Sequence, residues 1–215
     1  MPQRTYEDAC GAALAMDVVG ERWALLIVRE LIFGPKRFRD LRAGLPKASQ
    51  NVLSQRLKEL EADGVVRRVE LGPPVSTQAY ELTEQGQQLE PALIALARWG
   101  AHVLAKPGTD RSTDAFMLLL KALYFPPASG APTMAVRLLV GTDSFDVQVD
   151  AASVRIARGA HAQTDAIVRG DVRTLWSLIF TDMTVASAID AGVLEVTRDQ
   201  AAAQRFFTLF GLPPS

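Results

Sequence analysis

Gln50, Asn51, Ser54, Gln55 and Lys58 share one side of a stretch that, wound at 3.6 residues per turn, puts Leu53, Leu57 and Leu60 on the other. An ordinary solvated helix face is mostly Glu and Lys. This one offers amides, a hydroxyl and a cation, the groups that pair with base edges in a DNA major groove. Taken alone, the stretch is equally well read as a solvated amphipathic helix. Its surroundings favour the first reading. From Lys36 to Arg68 there are nine bases against four acids, a local net of +5 on a chain whose net charge is −1. A concentrated basic block on a near-neutral chain is the electrostatic footprint of a polyanionic partner. Lys36, Arg37, Arg39, Arg56, Arg67 and Arg68 are the expected phosphate contacts, with the helix face reading bases.

Other chemistry is sparse. Cys10 is the only cysteine, so no internal disulfide framework can form, which fits a reducing cytoplasm. In the first turns of an expected helix its thiol would feel the positive dipole end, which favours thiolate. Against that, Asp8 brings a carboxylate, no base lies close by, and free cysteines are commonly buried. His102 and His161 stand in different halves with no cysteine near either, so no metal site is expected. No nucleophile-elbow, phosphate-loop or dinucleotide fingerprint occurs, so neither catalysis nor a cofactor is expected. No run of about 20 apolar residues would span a bilayer, and MPQRTYEDACG does not read as a secretory signal.

The elements that must hold these residues follow from periodicity and breakers. Thr5 to Val19 reads as an Ala-rich helix broken by Gly20. Glu21 to Phe33 reads as a second, with Trp23, Leu26, Ile27, Leu31 and the stem of Glu30 turned to the core. Arg37 to Leu45 is short, closed by Gly44 and Pro46. Ser49 then caps the reading helix, and Gly64 ends it. Short helix, tight turn and longer helix with a polar outer face is the helix-turn-helix arrangement. Val65 to Leu71 and Gln78 to Leu82 form a hairpin behind it, a wing stiffened by Pro73 and Pro74.

The run Cys10, Gly20-Glu21-Arg22-Trp23, Arg29-Glu30-Leu31, Gly34-Pro35-Lys36-Arg37-Phe38, Ser49-Gln50, Leu53 to Leu60, Asp63-Gly64, Tyr80 to Thr83 and Gly86 resembles the HxlR-type winged-helix transcriptional regulators, relatives of the MarR group. The resemblance covers about residues 7 to 105. It implies a homodimer on an inverted-repeat operator, and it puts Cys10 where some members carry a redox-sensing thiol. Pro73-Pro74-Val75-Ser76-Thr77-Gln78-Ala79-Tyr80 departs from the family's usual wing, which has an arginine at its tip.

Glu84 to Ala105 reads as one helix with two apolar stripes: Leu89, Leu93, Leu96, Gly100 and Val103, then Ile94, Ala97, Ala101 and Leu104. A helix apolar around most of its girth needs two covers. A second subunit is one, and the C-terminal half is the alternative. Two-fold symmetry would set the reading helices one DNA turn, ~34 Å, apart.

Lys106 to Asp110 is a breaker cluster and the expected border between domains 1–107 and 108–215. Beyond it Thr113 to Tyr124 reads as an apolar helix. Met134 to Val140, Phe145 to Val149, Val154 to Ile156, Ala166 to Val168 and Val193 to Thr197 read as strands. Helices are expected after Asp171, from Thr184 to Ala191 and from Asp199 to Phe210. Thr164 to Asp171, Ala188 to Val196 and Phe206 to Phe210 resemble the sterol-carrier-protein-like fold. That resemblance implies a hydrophobic ligand in a cavity lined by Phe116, Leu119, Leu120, Trp176, Ile179, Phe180, Met183, Phe206 and Phe210; the same side chains would equally fill a solid core.

The fold class is therefore α+β, a winged helix-turn-helix domain followed by an α+β domain with a small sheet. The function expected is a DNA-binding regulator, modulated by a hydrophobic small molecule. The alternatives are a lipid carrier whose winged helix binds protein, or a thiol sensor built on Cys10.

Overall fold

The computed structural model describes residues 5–72, 77–101, 111–125, 133–159 and 163–212. Its contacts divide the chain into two compact units, Met1–Leu93 and Ile94–Ser215. The wing tip at residues 73–76, His102, His161 and the breaker cluster at 106–110 lie outside the described residues.

The first unit opens with α1 (Gly11–Val19), six residues later than the helix expected from Thr5. Local side chains occupy the preceding backbone: Asp17 accepts from Thr5 Oγ1 and Tyr6 N at 3.0 and 2.9 Å, and Asp8 accepts from Cys10 N at 2.8 Å. Such side-chain bonds compete with a helix for the same donors. The second helix is also shorter than expected: α2 is Ala24–Leu31, entered through Trp23 in the left-handed region at φ 82°. Its buried face is Ala24, Ile27, Val28 and Leu31, whereas Leu26 is exposed and Trp23 only half-buried. Glu30 is buried whole, at 0% exposure, not by its stem alone.

Next come α3 (Phe38–Gly44) and α4 (Gln50–Ala62). Ser49 caps α4 by accepting from Val52 N, and Gly64 takes φ +73°, the left-handed turn that glycine makes at little cost. Strands β1 (Val66–Leu71) and β2 (Thr77–Leu82) pair antiparallel, Val66 opposite Leu82 and Leu71 opposite Thr77. Lys36 adds a bridge to Tyr80 by two backbone bonds, 2.9 and 2.8 Å, which ties the segment before α3 to the wing.

After the wing the expected single helix is two, α5 (Glu84–Gln87) and α6 (Glu90–Gly100). Pro91 is the physical reason. It has no N–H to give the Gln87 carbonyl, and it fits the first turn of a new helix instead. Gly86 is needed for a different reason: a Cβ there would sit 2.1 Å from the Val65 carbonyl oxygen.

In the second unit α7 (Thr113–Ala122) precedes β3 (Met134–Val140), β4 (Asp143–Val149), β5 (Val154–Arg158) and β6 (Ala166–Gly170). Then follow α8 (Val172–Phe180), α9 (Val185–Asp190), β7 (Leu194–Arg198) and α10 (Gln200–Phe207). The sheet runs β5-β4-β3-β6-β7 and is antiparallel except where β3 meets β6. On β3, Met134, Val136, Leu138 and Val140 face the core by strict alternation. Asp146, which alternation along β4 would turn to solvent, is 3% exposed because Arg137 from the next strand grips it through two bonds of 2.7 and 3.2 Å. Among the described residues no helix is long and apolar enough to cross a membrane.

Candidate nucleic-acid interface

The interface is built from α3, the turn after it and α4. Leu53, Leu57 and Leu60 are fully buried and fix the roll of α4 about its axis. That roll leaves Gln50, Asn51, Gln55 and Lys58 exposed and Ser54 half-buried, so the amide-rich side of the helix is not packed within its own unit. Two of these amides are already engaged. Gln50 Oε1 accepts from Arg42 Nη1 at 3.3 Å, and Gln55 Nε2 donates to Glu59 Oε1 at 2.8 Å.

The cations divide into two groups. Five of the six expected phosphate contacts have acidic partners. Lys36 Nζ lies 2.8 Å from Glu30 with its side chain 12% exposed, so it is turned to the core and not outward as expected. Arg56 bonds Glu59 and lies 3.2 Å from Glu21. Arg67 pairs with Glu81, Arg68 with Glu61 and Arg39 with Asp40, all at the surface. Surface pairs of this kind are weak and exchange readily for a phosphate. Arg37, Arg42, Lys47 and Lys58 have no acidic partner among the described residues. Arg42 and Lys47 belong to the basic block but were not among the expected phosphate contacts; what marks them out is the lack of a carboxylate, which only the fold reveals. Phe38, Arg39, Arg42, Ala43, Pro46, Ala48, Ser49 and Gln50 line an open cleft of about 680 Å³ beside the start of α4.

Cys10 is exposed, not buried, and stands at the N-cap of α1. The backbone N–H groups of Ala12 and Ala13, in the first turn of α1, hold its pKa below the ordinary thiol value. A thiolate attacks alkylating agents where a thiol does not. Iodoacetamide should therefore modify Cys10 in the folded protein with a rate that rises with pH through a midpoint below the usual thiol range. In guanidinium chloride the midpoint should move back up; equal midpoints in the two states would count against the helix-end effect.

The expected ligand-lining residues separate by burial. Phe116, Leu120, Phe206 and Phe210 are buried, while Leu119, Trp176, Ile179, Phe180 and Met183 are half-buried. Phe206 lies edge-on to Phe207 and Phe210, centroids 5.2 and 5.0 Å away. Trp176 and Phe180 stack at 4.9 Å, and the Arg111 guanidinium sits 5.0 Å over the indole. Among the described residues no group of three or more His, Cys, Asp or Glu is placed to hold a metal ion.

Comparison with known proteins bears on the first half. A family model described as HxlR-like helix-turn-helix matches residues 18–107. The uncharacterized HTH-type transcriptional regulator YvaP of Bacillus subtilis (strain 168) is 42% identical over 88 residues, 41% of this chain and 82% of YvaP. The uncharacterized HTH-type transcriptional regulator YtcD of the same organism is 37% identical over 102 residues, 47% of this chain and 79% of YtcD. Among solved structures, the reduced form of the transcriptional regulator YodB from B. subtilis is 34% identical, covering 47% of this chain and all of YodB with a TM-score of 0.40.

Proposed function

The chain belongs to the HxlR-like helix-turn-helix family, whose members matched here are HTH-type transcriptional regulators, and from that premise we propose that it reads an inverted-repeat operator as a homodimer. The observation that carries the reading is the outward amide face of α4 beside four cations without acidic partners. Gln50, Asn51, Ser54, Gln55 and Lys58 read base edges. Arg37, Arg39, Arg42, Lys47, Arg56, Arg67 and Arg68 position the protein on phosphates. Lys36 is left out because Glu30 holds it. Dimerisation is supported by apolar side chains exposed among the described residues: Leu14 and Met16 on α1, and Leu96 and Trp99 on α6, the last two 49% and 72% exposed.

Residues 1–107 form the DNA-binding and dimerisation domain in this reading, and 108–215 a regulatory domain of sterol-carrier-protein-like architecture. The half-buried Leu119, Trp176, Ile179, Phe180 and Met183, with Trp176 stacked on Phe180, support a hydrophobic effector there. Such an effector acts only by binding one spacing of the two reading helices better than another. The lone cysteine and a DNA partner are in keeping with the cytoplasm. The exposed, thiolate-prone Cys10 supports a second reading, oxidant sensing at the same regulator.

The test is a gel shift on DNA upstream of its own gene at two salt concentrations. Gln55→Ala should lose about 1–3 kcal/mol on the selected site and nothing on random DNA. Arg37→Ala should weaken both alike and lower the salt slope by about one. Equal losses on both DNAs for both variants would refute this division of labour.

A further inference from the structure

Glu59 is one turn along α4 from Gln55 and takes no part in the reading face, yet its carboxylate accepts a hydrogen bond from the Gln55 amide at 2.8 Å. An ionised carboxylate can only accept. The group Gln55 turns toward Glu59 must therefore be its NH2, and the two ends of the amide cease to be interchangeable. Glu59 is itself held: Arg56 bonds its other oxygen and reaches Glu21, in the turn before α2, at 3.2 Å. A chain of four side chains, Glu21, Arg56, Glu59 and Gln55, thus runs from the turn before α2 to the outward face of α4.

We infer that Glu59 is a positioning residue that sets which bases Gln55 can read, an inference resting on the DNA-reading function proposed above. With one N–H committed to Glu59, Gln55 keeps one N–H and the carbonyl oxygen for the groove. That pair matches adenine, which offers an acceptor at N7 and a donor at N6. Guanine offers acceptors at both N7 and O6. To satisfy it, Gln55 must aim both N–H groups at the base and give up Glu59. The anchored amide selects adenine and opposes guanine, whereas a free amide serves either. A carboxylate near the groove also repels phosphate, so it lowers affinity for every sequence. Glu59 exchanges general affinity for selectivity.

The experiment is selection from a randomised duplex pool with the full chain, followed by competition titrations. Wild type, Gln55→Ala, Glu59→Gln and the double variant are compared. Glu59→Gln keeps the shape of the side chain but offers both a donor and an acceptor, so it no longer dictates the orientation of Gln55. The wild type should enrich a site with adenine fixed at a position that Gln55→Ala relaxes. Glu59→Gln should relax the same position, lowering the preference for adenine over guanine about tenfold. Its affinity for random DNA should be equal or higher. In the Gln55→Ala background Glu59→Gln should change base preference no further, because its effect on selectivity runs through Gln55; only the affinity common to all sequences should rise.

Retained adenine preference in Glu59→Gln overturns the inference and leaves the DNA-reading function standing. A loss that adds to that of Gln55→Ala also overturns it, since Glu59 would then touch the DNA itself. Failure of Gln55→Ala to relax any position does the same. If the wild type enriches no sequence, the DNA-reading function falls and the inference falls with it.

Discussion

Glu30→Ala is expected to destabilise the first unit by about 3–5 kcal/mol, the scale for removing one partner of a buried ion pair. Arg29 Nε and Nη2 donate to Glu30 Oε1 at 3.2 and 2.7 Å, and Lys36 Nζ donates to Oε2 at 2.8 Å. The carboxylate also fills the space beside Gly44: a Cβ there would lie 2.1 Å from Oε2. One buried side chain therefore joins α2, the segment bridged to the wing, and the end of α3. Alanine removes the carboxylate that both poorly hydrated cations bond and leaves a void against α3. Because α3 sets the approach to α4, specific DNA binding should fall along with folding. Urea unfolding followed by circular dichroism measures the loss. A change below about 1 kcal/mol would mean that Arg29 and Lys36 escape to solvent once Glu30 is gone.

Phe206→Ala is expected to cost the second unit about 3–5 kcal/mol. The ring is fully buried, edge-on to Phe207 and Phe210, on a helix that packs over β3, β6 and β7. The cost combines lost transfer energy with the cavity left behind, since close neighbours on a sheet cannot all collapse inward. Near-ultraviolet circular dichroism during urea unfolding reports the change. A cost near 1 kcal/mol would indicate that the ring borders open space and is not wedged into a solid core. The proposed effector would then have room at the Phe206 ring, instead of depending on the half-buried residues alone.

The reading helix was legible in the sequence because everything that defines it is local. Ser49 caps, three leucines set the buried side, and Gly64 turns the chain. The strands of the second unit were legible for the same reason, through alternation, and Gly141 takes φ +58° at the turn between β3 and β4. What escaped depended on partners distant in the chain or on bonds that periodicity does not register. The late start of α1 comes from Asp17 reaching back to Thr5 and Tyr6. The roll of α2, with Val28 inward and Leu26 outward, is set by its neighbours in the fold. Pro91 is visible in the sequence, but the apolar stripes run straight through it, and periodicity does not register a missing N–H. The basic block overstated the available charge because Glu21, Glu30 and Glu81, all outside it, neutralise Arg56, Lys36 and Arg67.

The side-by-side parallel join of β3 and β6 bears on how the second unit is assembled in time. Strands β3, β4 and β5 can zip as a meander through short connections. Strand β6 instead takes its place on the far flank of β3, away from β5, where Val136 meets Ala166. Joins between distant stretches are slow, since loop closure is costly before any bond rewards it. Until this one is made, β3 carries a bare row of amide and carbonyl groups along its open margin. During that interval a newly made chain is most exposed to pairing with a neighbour of its own kind.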